Sequence, residues 1–445
     1  MTDQELKSLA DQALAAAGCE AQVTISFGSN ALTRFGDNVI TQNVASQDVG
    51  ISILLQNDGR LGKAGTSNLS PEGIRRCVAT AQAALAVAEP DAELLPLPNP
   101  QSYRSPSHFH QATADLSPEA RADAVRNTVE RFRKHDLEGA GIYSNGDGGI
   151  AIANSKGLWA VNRQTGASFS VSAMSPDSSG WADDNDPNVA KLRIDEAAER
   201  ALQKALLGRN PASIEPGAYP AVFEPAAAAD FLLFLAWEAF NGKALVEGRS
   251  CFSGKSGQRV VGENITLIDD VYNEMTAGMP FDYQGMPRQR VVLIEKGVFK
   301  SGVHDRATGA RAGVASTGHS LPQPDATGPF PLNNVLVPGD SSLDEMIAAT
   351  DRGVLITRLH YTNILDPMKM LLTGMTRDGF FLIEKGRVTK GLKNMRFTDS
   401  VLRILSNVTA LSRDLSKTAT FWGGGGSVCP AMKVEGFIFS SKTEQ

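Results

Sequence analysis

Histidine, cysteine and positive charge are all in short supply here, and each shortage closes off a class of chemistry. The 445 residues include six histidines and four cysteines. Cys19, Cys77, Cys251 and Cys429 lie far apart and form no C-x-x-C pair. Such spacing argues against structural disulfides or a zinc cluster and for buried thiols in a reducing compartment. The formal net charge is -6 and the pI about 5.6, so a basic surface for nucleic acid is not expected. No apolar run approaches the length that crosses a bilayer, and the opening Met1-Thr2-Asp3-Gln4-Glu5-Leu6-Lys7 has no signal-type apolar centre. The expectation is a cytoplasmic protein with no membrane partner. No G-x-S-x-G elbow occurs, which leaves an α/β-hydrolase nucleophile without support.

What is present points to an α+β chain of two domains, the natural prior at this length. Leu6, Leu9, Ala13 and Leu14 recur at helical spacing and predict a helix over 3–17. Alternating segments at 21–27 and 31–35 follow, then a strand at 50–55 that turns at Asn57-Asp58-Gly59. Ser70-Pro71-Glu72 opens a helix to about residue 88. After a proline-, serine- and histidine-rich connection over 90–112, helices are expected at 117–135 and 187–207, with glycine-punctuated strands at 141–161 between them. The proline-rich run 210–220 is the best boundary, separating a mixed α/β domain at 1–210 from a β-rich domain with a curved or barrel-like sheet at 217–445. Within the second domain, Leu293-Ile294-Glu295-Lys296-Gly297 recurs as Leu382-Ile383-Glu384-Lys385-Gly386, through duplication or through convergence on good turn residues. Val401, Ile404, Leu405 and Val408 form an apolar stripe on a helix expected over 398–411.

One stretch carries a resemblance. It begins Glu247-Gly248-Arg249-Ser250-Cys251-Phe252-Ser253-Gly254-Lys255-Ser256-Gly257 and ends Ser316-Thr317-Gly318-His319-Ser320. Between these lie Leu267-Ile268-Asp269-Asp270 and Phe281-Asp282-Tyr283-Gln284-Gly285. This order resembles the TldD/PmbA family, the modulators of DNA gyrase, whose catalytic branch consists of zinc peptidases. In that branch a preceding helix carries His-Glu-x-x-x-His: imidazoles to hold the metal and a glutamate to take a proton from its water. Here the equivalent helix, 223–242, contains no histidine, and ungapped counting lays the motif on Leu233 to Glu238. The resemblance therefore implies the PmbA or TldE branch: no metal, no cofactor, and a non-catalytic subunit. The partner it implies is a TldD-like catalytic chain or a second copy of this one, in a dimer whose cleft receives extended peptides. A homodimer that binds peptides without cleaving them, and a hydrolase with a non-zinc centre, stand as alternatives.

Candidate contacts follow from the same alignment. The loop holding Arg249 and Ser250 lies beside the cleft in the family, so both are candidates to meet a peptide backbone. Gly254-Lys255-Ser256 imitates the end of a phosphate loop, but the glycines are one residue too far apart and strand-like residues 258–261 follow instead of a helix. His304 and His319 fall in the densest part of the resemblance, and His319 is the stronger cleft candidate. Gly424 and Gly425, in Gly423-Gly424-Gly425-Gly426, offer amides that cradle a carboxylate or make a turn. Cys429 does not align with the zinc cysteine of the catalytic branch. Gln284 stands where many relatives have glutamate, and Asp269 and Asp270, adjacent on a strand, point to opposite faces. His108 and His110 read as surface residues, and His360 as structural.

Overall fold

The computed structural model describes residues 1–104, 108–276, 278–419 and 426–443. It opens with α1 (Asp3–Ala17), β1 (Glu20–Gly36), β2 (Val39–Asn57), β3 (Arg60–Thr66) and α2 (Pro71–Val87). After the linker and the single turn α3 (Gln111–Ala114) the same order returns as α4 (Pro118–Arg133), β4 (Glu138–Asn154), β5 (Trp159–Ser175), β6 (Ser178–Asp186) and α5 (Ile194–Leu207). All six strands join one antiparallel sheet in the order β3-β2-β1-β4-β5-β6. Two αβββα units thus meet along the β1–β4 ladder, a duplication of architecture that sequence patterning did not reveal.

Local chemistry sets these boundaries. Thr2 and Glu5 form a capping box at α1, and the Ser70 and Ser117 hydroxyls accept from Gly73 N and Ala120 N, each with proline at the first helical position. Alternate residues Ala21, Val23 and Ile25 of β1 bury under α1 and α2 with Ile53, Leu55, Ile74 and Val78. The second unit builds its own core from Phe35, Val129, Phe132, Phe169, Val171 and Leu202. In each unit a glycine third in the last strand lets the last helix close in. A Cβ on Gly62 would lie 2.2 Å from Ala81 O, and one on Gly180 would lie 2.2 Å from Ala201 O.

The second half consists of β7 (Gly217–Phe223), α6 (Pro225–Ala239), α7 (Gly242–Val246), β8 (Leu267–Asp269), β9 (Val291–Glu295), β10 (Val298–Phe299), α8 (Arg306–Ala312), β11 (Asn333–Leu336) and α9 (Leu343–Ala348). The long strands β12 (Arg352–Asp366) and β13 (Leu371–Glu384) follow, then β14 (Arg387–Gly391), β15 (Met395–Ser400), α10 (Val401–Ser406), β16 (Val408–Ala419) and β17 (Gly426–Lys442). Its sheet runs β10-β9-β8-β11-β17-β15-β13-β12-β7, and β17 also pairs with β7. The strands β7, β12, β13, β15 and β17 therefore close into a ring, the barrel-like sheet expected from the sequence. The echoed pentapeptides both make two-residue hairpin turns, with Lys296 and Gly297 at φ 46° and 77° and Lys385 and Gly386 at 51° and 74°.

Three local expectations need correction, and one strand, over 178–186, was not anticipated. The helix expected over 398–411 is the six-residue α10, because Thr398 sits in the β13–β15 ladder opposite Thr373 and Val408 opens β16 opposite Val434. Threonine and valine, stiff at χ1, suit those strands. The helix expected from 187 begins at Ile194, since Asp186 Oδ1 accepts from Asn188 N and Asp184 Oδ2 from Arg193 N, holding a 3-10 turn first. The polar run 178–186 is a strand, β6, at the sheet edge, where polar residues are tolerated. Residues 258–261 form no strand, only a lone bridge from Arg259 to Val298. Among the described residues no helix is long and apolar enough to cross a membrane.

Gly180→Ala is expected to destabilise the protein by about 1–3 kcal/mol, because backbone and not a flexible side chain blocks the added methyl. Gly166→Ala, which meets nothing within 4 Å, is the control and should change little. Urea unfolding compares them, and coincident midpoints would contradict the packing argument.

Candidate functional site

The helix α6 organises the site. Pro225 at its first position and the alanines that follow start it, and its inward side buries Ala228, Phe231, Leu232 and Leu235 inside the strand ring. Phe231 meets Phe223, Phe397 and Phe437 at ring-centroid distances of 5.4, 6.2 and 6.3 Å. The outward side carries Asp230, Leu233 and Trp237 at helical spacing, with Phe234 stacked on Trp237. Glu238 is half-buried, and that burial raises its carboxyl pKa against the opposing pull of Arg249. Thr362 Oγ1 donates to Asp230 at 2.8 Å, yet burial pushes the Asp230 pKa up to about 6. Asp183, on β6 across the domain junction, is likewise raised to about 6 by burial. Cys429 is fully buried, its thiol 3.1 Å from Pro225 O, and burial together with Asp230 and Asp183 drives its pKa far up, so it stays a thiol.

The loop after α7 forms the next wall. Ser250 is buried, donating to Ala239 O at 2.7 Å and accepting from Phe252 N at 3.0 Å. Phe252 stacks on Phe299, which anchors the loop by apolar contact and leaves no strand-to-helix phosphate cradle. Arg249 stands exposed, paired with Glu247.

Two buried carboxylates then pin the loop at 316–320 from either side. Asp269 ends β8 with its side chain inward, 2.9 Å from His319 Nε2, and Asn333 N donates to its other oxygen at 2.8 Å. The His319 Nδ1 faces Thr317 O at 2.8 Å, and the ring is fully buried. Burial works against the charge on Asp269, but His319 overcomes it and holds the carboxyl below its usual range. Asp282 accepts from Ser320 N, Gln284 N and Met286 N, each at 2.9 Å, and burial still lifts its pKa to about 6. His304 is buried beside this loop with Nδ1 unpartnered, and burial lowers its pKa.

A cleft of about 500 Å³ lies between the two halves, formed by Gly146, Gly148 and Gly149 of β4, Gln164 of β5, Asn185 and Asp186 of β6, and Lys417 of β16; α6 and the 316–320 loop do not line it. Its lining mixes glycine backbone, carboxamide and hydroxyl groups with a somewhat larger share of apolar surface. Of the residues singled out from the sequence, Arg249 faces solvent while Ser250 and His319 are buried within their own loops and do not line this cleft. Gly424 and Gly425 lie outside the described residues, between Ala419 and Gly426. His108 is buried and not on the surface, because Thr165 N bonds its carbonyl at 2.9 Å and draws the segment onto β5. The sequence reading missed the Asp269–His319 pair. Its one available sign was an aspartate ending an apolar strand on the inward side.

A helix enclosed by a strand ring, set against a paired αβββα sheet with a cleft between them, is an architecture that two family models cover. The model of the PmbA/TldA metallopeptidase C-terminal domain matches residues 216–441, and that of the central domain matches residues 112–208. The chain belongs to the PmbA/TldD family. Its fold is similar to that of TldE from Thermococcus kodakarensis, with a TM-score of 0.87 at 22% identity over 98% of this chain and 99% of the other. It is 28% identical over 237 residues to a metalloprotease of Methanocaldococcus jannaschii, 53% of this chain and 51% of that one. The chain thus spans about half the length of the first curated relatives it matches. It is 21% identical to the metalloprotease PmbA of Escherichia coli O157:H7, over 94% of this chain and 92% of that protein.

His319→Ala leaves the Asp269 carboxylate buried without its partner and should cost about 3–5 kcal/mol, read as a large drop in thermal stability. A melting temperature close to that of the native chain would contradict a supporting role. The raised carboxyls of Asp183 and Asp230 give a second expectation. Their folded pKa of about 6 exceeds the ordinary 3.8, so the stability they contribute is full below about pH 4 and is lost as pH rises to about 6. Asp230→Asn should flatten that decline in unfolding measured across pH; an unchanged slope would contradict it.

Proposed function

We propose that the chain is the TldE-like, non-catalytic subunit of a TldD/TldE-type metallopeptidase complex that processes extended peptides. The observation that carries this reading is the set of side chains that α6 holds at three positions. Where the resemblance places two zinc-binding imidazoles and a general base, the side chains are Leu233, Phe234 and Glu238. Leucine and phenylalanine have no donor atom for a metal and cannot move a proton, and Glu238 alone is one ligand of the several a tight site needs. Cys429, the nearest thiol in the sequence to the glycine run, is occupied by Pro225 O and held protonated. These residues do not fit zinc, so peptide hydrolysis is assigned to a TldD-like partner, with this chain contributing a cleft wall.

Affinity purification of the tagged chain from its native cell should recover a TldD-like protein in about equal amount, with chelator-sensitive peptidase activity in the joint fraction only. Recovery of the chain alone as a homodimer that binds peptides without cleaving them would overturn the assignment in favour of a self-sufficient binding protein.

A further inference from the structure

A second, smaller cavity of about 250 Å³ opens between the two halves, with β1, β2, β3 and the linker after α2 on one side and α8 on the other. We propose that this cavity is a binding site for the C-terminal carboxylate of a peptide, held by Arg306 and read together with the amide N–H beside it.

Arg306 opens α8 and is half-buried, yet its guanidinium makes no hydrogen bond and no ion pair within 4 Å to any described residue. Its nearest negative neighbours, Asp305 and Asp282, are already committed. Asp305 caps α8, accepting from Thr308 N and Thr308 Oγ1 at 2.7 Å each, and Asp282 accepts three backbone amides. Arg121 is a contrasting case, a guanidinium that the chain itself satisfies, whereas the buried Arg288 keeps Nε and Nη1 without partners. Arg121 is fully buried and donates to Leu116 O, Asn145 Oδ1 and Thr33 Oγ1 at 3.0, 2.6 and 3.3 Å. A half-buried cation without such partners is only partly desolvated and keeps its donors free for a ligand, and a planar carboxylate is the group its forked donors match best.

Gln284, on the same cavity wall, supplies the second half of the match. Its side-chain oxygen is buried without a hydrogen-bond partner, an acceptor waiting for an N–H. A carboxylate donates nothing, but the amide immediately preceding a peptide's C-terminal carboxylate does. The opposite wall carries Leu54, Leu61, Leu94 and Leu97, apolar surface suited to the terminal side chain. Asp325, bound to Thr327 N and Gly328 N, adds a fixed negative charge that disfavours a doubly charged phosphate over a singly charged carboxylate. Capture of a chain terminus in this way is an established mode of peptide recognition. The site rests on the reading of this chain as a peptide binder but needs no partner subunit, so its loss and the absence of a TldD-like chain are separate outcomes.

Isothermal titration of the full chain with N-acetyl-Ala-Ala-Leu, its C-terminal amide, free leucine and acetate tests the assignment. The expected result is binding of the free acid, with the amide, leucine and acetate each at least about tenfold weaker, equivalent to about 1.4 kcal/mol. Arg306→Gln should weaken the acid to the level of the amide while leaving the melting temperature equal or higher, since it removes an unpaired charge. Gln284→Leu, a second variant away from the guanidinium, should also weaken the acid. Equal binding of acid and amide, binding of acetate or leucine as tight as the peptide, or full affinity in a folded Arg306→Gln protein would each overturn the proposal.

Discussion

Enclosure of α6 by the ring of strands is the constraint on which the rest of the C-terminal half depends. β17 must pair with both β15 and β7 to close that ring, and closure leaves an interior that only a helix apolar on its inward side can fill. Phe231, in contact with Phe223, Phe397 and Phe437, is the centre of that filling. Packing therefore fixes the inward residues, and the outward stripe is where the helix is free to carry chemistry. In this chain that stripe is Asp230, Leu233 and Trp237. A helix of the same shape can thus serve a catalytic or a supporting subunit, depending on three or four side chains that the fold does not dictate.

Around the helix, buried charge does the positioning. Asp269 and Asp282 hold the 316–320 loop from opposite sides, one through the His319 ring and the other through the Ser320 amide. Across the domain junction, Arg358 lies over the Trp181 ring and pairs with Asp378, which also accepts from Ser179 Oγ at 2.7 Å. Lys204 of α5 reaches Glu224 at 2.7 Å, just before α6 begins. These contacts join the two halves, and the cleft itself takes its lining from both, with Asn185 of β6 donating to Lys417 O at 2.8 Å. Arg306 departs from this pattern as a half-buried cation that the surrounding carboxylates leave unmatched, and the buried Arg288 likewise keeps two nitrogens without partners.

Much of this architecture was legible in the sequence where one local rule acted alone. Ser70-Pro71 and Asn57-Asp58-Gly59 marked a helix start and a turn because capping and φ > 0 chemistry need only neighbouring residues. The repeated Glu-Lys-Gly turns were legible for the same reason. What escaped depended on partners distant in the chain. Thr398 and Val408 continued an apolar stripe that reads as helix, but strand partners at Thr373 and Val434 claimed them. The polar strand β6 exists because β5 offers it an edge. At the site, the loss of imidazoles from α6 was visible directly, since residue identity suffices. The Asp269–His319 pair spans fifty residues of sequence and became visible only when β8 and the 316–320 loop were brought together.

The central claim is that the outward side of α6 offers no metal-binding set, so any peptidase zinc belongs to another chain. Elemental analysis of the purified chain, after dialysis into metal-free buffer and then after exposure to zinc, tests this most directly. The account predicts far less than one zinc per chain in both samples. One tightly held zinc per chain, lost on substitution of Glu238 or Cys429, would contradict it.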